Sequence, residues 1–135
     1  MNDVSAVLDT SALMSYARLA SLAVGELLAM LEEEDDRSLV GVPAASFLTA
    51  YRDLATDERN LLTALVTRAD GVVAILPLLG SDTVEAAQLD VRLDRPGIGH
   101  AIIETRNRDA TLATYHPDAA GVELDDDSIL DLGLQ

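Results

Sequence analysis

The sequence predicts an α/β layer sandwich, a central parallel sheet flanked by helices. Three observations carry this reading. Short β-branched runs alternate with longer stretches of helical periodicity along the chain. Val72-Val73-Ala74-Ile75-Leu76 is apolar at every position, as a strand covered on both faces must be. The apolar run Val4–Leu8 stops at Asp9, and small hydroxyl residues then open a helix. That places a carboxylate at the C-terminal end of a strand, where open α/β sheets hold their ligands. Both strands are expected to be central in the sheet.

The 135 residues fit one domain and suffice to bury a core without metals or disulfides. Cysteine is absent, which excludes a disulfide framework, a thiolate zinc site and a Cys/His nucleophile. No basic segment followed by a long apolar one opens the chain, and Val72–Leu79, broken by Pro77, is too short to span a bilayer. A cytoplasmic protein is therefore expected. The formal charge is −15, and all nine basic residues are arginine. Such a surface repels phosphate backbones in general. It leaves room for a local metal site that offsets the charge, or for a basic protein partner.

The corner at Asp9 leads into a first helix continuing to Leu19, its first turn capped by Thr10 or Ser11, or by Asp9 itself. Val24, Leu27, Leu28 and Leu31 recur at i, i+3, i+4, i+7 and mark an amphipathic helix. It ends in Glu32-Glu33-Glu34-Asp35-Asp36, acids that oppose the helix dipole and read as a solvated end or a docking patch for an arginine-rich partner. Leu39, Val40 and Val42 form a second strand, and Pro43 suits the start of the next helix. Phe47, Leu48, Tyr51, Leu54 and Ala55 mark that helix's apolar face. Thr56-Asp57 recap the chain for a helix through Leu61, Leu62, Leu65, Val66 and Ala69, closed by Asp70-Gly71.

After Val72–Leu76, Asp82 and Glu85 open a helix whose apolar face is Val84, Ala87 and Val91. Asp94-Arg95-Pro96-Gly97 is a loop, Ile98–Arg108 a helix and Thr111–Thr114 a strand ended by Tyr115-His116-Pro117-Asp118. Val122–Leu124 is expected as a last edge strand. The domain is expected to span residues 1–124, with an acidic tail over 125–135.

Neither a dinucleotide fingerprint nor a phosphate loop is present, and no serine sits in a nucleophile elbow. His100 and Glu104 share a helix face at a spacing that can hold a metal, but one such pair is expected to be a hydrogen-bonded pair on the helix surface.

Four segments resemble, in order, those of a PIN domain, the fold of VapC-type toxin ribonucleases: VLDTSAL, VGVPAASFLTAYRDL, VVAILPL and GIGHAIIETRNRDATLATYHP. The likeness covers roughly positions 4–118 and implies a PIN-like three-layer sandwich. PIN nucleases hold one or two Mg2+ or Mn2+ ions with three or four carboxylates, which activate water and stabilise charge on the scissile phosphate.

Position by position, the resemblance keeps only part of that set. Asp9 matches the first acid, Ser11 the small hydroxyl beside it and Thr114 the threonine of the last motif. Thr49, Gly97 (or Ile98) and His116 stand where the family usually has acids. Asp53, Asp94 and Asp118 lie near enough to be candidate replacements, and His116 could ligate a softer metal.

The resemblance therefore implies a PIN-like protein with a degraded metal site. Its expected role is binding or structural, as an inactive homologue in a toxin–antitoxin-like pair, without a cofactor. The alternative is an active Mg2+- or Mn2+-dependent endoribonuclease, with RNA as a partner only if the metal site works. An unrelated α/β binding protein is a third reading. A basic antitoxin-like partner is expected, as is a homodimer through the early helices, since PIN-like proteins commonly pair and the helix Val24–Leu31 is rich in leucine for a small core.

Overall fold

The structure is a computed structural model that describes residues 3–33, 38–68 and 71–134. Glu34, Asp35 and Asp36 of the acid run, and Ala69 and Asp70 of the expected helix end, lie outside the described residues.

Five strands form one sheet: β1 (Val4–Leu8), β2 (Leu39–Pro43), β3 (Val73–Leu76), β4 (Thr111–Thr114) and β5 (Ile129–Asp131). Their order is β3-β2-β1-β4-β5 and every pair is parallel. The helices are α1 (Thr10–Ala17), α2 (Ala23–Glu33), α3 (Ala44–Asp53), α4 (Thr56–Val66), α5 (Thr83–Leu93), α6 (Ile98–Arg108) and α7 (Pro117–Ala120). Two apolar cores result. Leu8, Val40, Val42 and Ala113 face α1, α2 and α4 on one side, while Val7, Leu76 and Leu112 face α5 and α6 on the other. This is the three-layer α/β sandwich that unalternating strands require.

β1 is central, but β3 is not. It pairs with β2 alone and forms an edge, with Ile75 47% exposed. Its apolar run is consumed differently: Val73 packs into one core and Leu76 into the other. A four-residue strand can feed both layers from an edge, so the unbroken run did not demand a central place.

Helix faces depart from expectation in a consistent way. α5 turns Ala86 and Leu89 inward and leaves Val84 and Val91 at 68% and 82% exposure. The cause is its close crossing with α6, where a Cβ on Gly99 would run into the Ala86 backbone. Small residues set that contact, and the larger valines are turned away from it. α3 likewise buries Ser46 and Ala50, whereas Leu48 is exposed and Tyr51 lies at the surface, stacked on Phe47 and covered by Arg59. Val24, Leu28 and Leu31 of α2 serve this chain's own core, so their number no longer argues for a second copy.

The C-terminal segment also differs. Val122–Leu124 is a turn rather than a strand, anchored by buried Leu124. The sheet instead gains β5 from the stretch expected to be a loose tail, with Leu130 opposite Ala113 and Leu132 in the core. The flanking aspartates masked this short strand. No helix among the described residues is long and apolar enough to cross a membrane.

Candidate functional site

β1 ends at Leu8, and Asp9 supplies the turn into α1. Its backbone is extended, and its Oδ1 accepts from the Ala12 amide at 3.0 Å, so the helix cap is Asp9 rather than Thr10 or Ser11. The same Oδ1 accepts from Ser11 Oγ at 2.6 Å, and Oδ2 accepts from Thr114 Oγ1 at 2.6 Å. Both hydroxyls are themselves positioned by amides: Tyr115 N donates to Ser11 Oγ and His116 N to Thr114 Oγ1. The Asp9 residue is only 2% exposed. Burial raises its carboxyl above the ordinary value, and the Ser11, Thr114 and Ala12 donors together with nearby His116 offset part of that rise.

Thr10 is turned away from Asp9. Its hydroxyl donates to Pro96 O at 3.1 Å and faces the Ser46 carbonyl, tying α1 to the loop before α6. Ser46 Oγ donates to Gly97 O at 2.7 Å from α3. Gly97 has φ +88°, and a Cβ there would collide with Thr10 Oγ1 and press on Ser46 and Thr49. Only glycine fits this backbone at this packing.

Asp90 on α5, which sequence reasoning missed, holds the start of α6. Its Oδ2 accepts from Gly97 N at 2.9 Å and its Oδ1 from Gly99 N at 2.6 Å. The signal was available: α6 begins after a glycine that has no side chain to cap it, so its first amides need an acceptor from elsewhere.

A cleft of about 210 Å3 opens above Asp9 at the C-terminal ends of β1 and β4. Thr49, Asp53 and His116 line it, together with Met14, Arg95 and Pro96. The structure thus brings Asp9, Ser11, Thr49 and His116 together, with Gly97 in the adjoining wall. Thr114 stands beneath, bonded to Asp9. Thr49 spends its hydroxyl on Ala45 O within its own helix. Of the three candidate replacements only Asp53 lines the cleft. Asp94 caps α5 in a left-handed conformation at the surface, and Asp118 is exposed on α7. Met14 and Arg95 carried no motif to mark them.

Among the described residues no three His, Asp or Glu side chains converge where they could hold a metal ion. His100 and Glu104 do not form the expected surface pair: both are buried, 3.9 Å apart. His100 Nδ1 accepts from the Ala45 amide at 3.2 Å, which ties α6 to the first turn of α3. Burial lowers the His100 pKa against the opposing pull of Glu104 and Asp82 and a backbone bond at Pro77.

The chain's three-layer parallel architecture is a PIN-like α/β fold. Its fold is similar to that of VapC20 from Mycobacterium tuberculosis, described as a sarcin-ricin loop cleaving toxin. The TM-score is 0.59 at 14% identity, over 87% of this chain and 95% of that one. No family model matches the sequence, and a search of curated proteins finds no similar one.

Proposed function

We propose that this protein acts by binding, as a PIN-fold counterpart of a toxin–antitoxin-like pair whose cleft lacks a divalent-metal nuclease centre. The observation that carries the reading is the state of Asp9. Both of its oxygens already accept from protein donors, Ser11 and Ala12 on one and Thr114 on the other. These bonds occupy most of the carboxylate's acceptor sites and leave only part of Oδ2 free for an ion, and Thr49, Gly97 and His116 bring no carboxylate to share the load. Burial adds to the cost, because the carboxyl must be ionised to ligate. The net charge of −15 favours a basic protein over RNA as partner.

The second reading is an active Mg2+- or Mn2+-dependent ribonuclease. Two observations favour it: Asp53 shares the cleft with Asp9 and His116, and the fold is similar to that of a cleaving toxin.

Calorimetric titration with Mn2+, paired with melting curves in Mg2+, separates the two. A native-state ligand at about 100 times its dissociation constant adds about 2.7 kcal/mol. The binding reading expects no saturable Mn2+ heat, and a melting shift in Mg2+ no larger in wild type than in Asp9→Asn. A shift that vanishes in Asp9→Asn, with RNA cleavage lost in the same variant, would establish the nuclease instead.

A further inference from the structure

We propose that the β5 edge, with the groove between it and α2, docks an extended segment of a partner protein that alternates basic and apolar side chains. This surface stands apart from the cleft. Asp9 lies at the C-terminal end of the sheet, whereas Ser5, Thr111 and Ile129, which line the groove, lie at its N-terminal end. The proposal holds whether or not the cleft binds metal.

The groove has two adjoining halves. One, of about 330 Å3, is lined by Ser5, Leu31 and Ile129 among others. The other, of about 150 Å3, is lined by Ala23, Met30 and Leu132, with Glu26 at its rim. Leu27 and Leu130 belong to both halves. Met30 is 58% exposed, so an apolar surface remains open there. β5 forms one wall of the groove, pairs with β4 alone, and ends the sheet. Its outer edge has no backbone partner among the described residues, which is the feature that extended peptides complete.

A second observation points to an occupant. Ser5 Oγ is buried and has no hydrogen-bond partner among the described residues. Ser5 is also where β1 slips register against β2, since Val4 pairs with Leu39 and Ala6 with the next residue, Val40. The extra residue has no opposite number, and it borders the larger cavity.

Charge selects the occupant. Glu26 stands on the rim, Asp125, Asp126 and Asp127 are exposed just ahead of β5, and among the described residues no arginine lines either half. A second copy brings the same acids to the same place and is repelled. A basic segment is drawn in, its alternate side chains reaching the acidic rim and the Leu27–Leu130 floor.

The test uses the full chain and synthetic peptides at physiological salt, where long-range attraction is screened. The probe alternates arginine and valine. Its control has the same composition with the two residues in separate blocks. We expect the alternating peptide to slow hydrogen exchange at Ile129, Leu130 and Asp131 and to bind at least about tenfold more tightly than the blocked one. Glu26→Arg and Met30→Asp, both at exposed positions, should each weaken it, whereas Asp9→Asn should leave it unchanged. Equal binding of the two peptides, no protection of β5, or indifference to both groove variants would each overturn the proposal. Concentration-dependent protection of β5 without peptide would assign the surface to a second copy instead.

Discussion

Thr114 Oγ1 donates to Asp9 Oδ2 at 2.6 Å, tying together the C-terminal ends of two adjacent strands across 105 positions of sequence. The same oxygen accepts from the His116 amide. One hydroxyl thus fixes the buried carboxylate, the end of β4 and the start of the turn that carries His116 into the cleft.

Removing it should be costly. Thr114→Val keeps the shape but leaves both Asp9 Oδ2 and the His116 amide without their partner. We expect a loss of about 2–3 kcal/mol, since one of the bonds has a charged acceptor. Thr114→Ser should recover most of it. Urea unfolding at neutral pH measures both, and a Val variant within about 0.5 kcal/mol of wild type would contradict this account.

Asp9 should leave a signature in the pH dependence of stability. Its folded pKa is raised by burial. Between the unfolded and folded values the native state therefore holds more protons, and stability falls as pH rises. Above the folded value the penalty is complete and constant. The difference in unfolding free energy between wild type and Asp9→Asn should shift against wild type as pH climbs from about 4, then level off. A pH-independent difference would show that burial does not shift this group.

His100 works in the opposite sense. Burial depresses its folded pKa, so the unfolded chain takes up a proton first as pH falls. Stability from this group is complete above the ordinary histidine value and declines as pH drops below about 6.5 toward the folded value. His100→Asn places its Oδ1 where Nδ1 accepts from the Ala45 amide and cannot titrate, so it should remove that decline. Unfolding curves collected across this range read the effect, and parallel pH profiles for the two proteins would refute it.

Gly97→Ala should destabilise by about 2–4 kcal/mol, combining left-handed strain with the collision on Thr10. Gly25→Ala is the contrast. It lies in α2 with nothing within 4 Å of its added Cβ, and it should stabilise by about 0.5–1 kcal/mol. Thermal unfolding of the two variants would separate a packing requirement at Gly97 from a general preference for glycine.

The sequence made legible whatever depends on local pattern. Val4–Leu8, the corner at Asp9, the helix from Ile98 to Arg108 and the strand Thr111–Thr114 all follow from runs, caps and breakers. The gathering of Thr49 and His116 near Asp9 followed from the order of four motifs. What escaped was set by contacts between distant elements. The place of β3 at an edge depends on which strand pairs with which, and an apolar run does not encode that. The inward face of α5 was decided by Gly99 on another helix. β5 has only three residues, the last of them an acid, too few for a period to register. Asp90 caps a helix other than its own, so no window around α6 contains its signal.

The strand order has a consequence for how this chain is made. β1 pairs on one side with β2 and on the other with β4, Ala6 facing both Val40 and Thr111. The first partner is synthesised soon after β1; the second follows only after α3 to α6. At roughly 5–20 residues per second, the newborn β1–β2 pair waits several seconds with one side of its central strand open. Val7 and Leu8 project from that strand toward opposite faces, so a nascent chain stalled before Thr111 displays an unpaired backbone edge flanked by apolar side chains, a template for aggregation, and a chaperone would find it there.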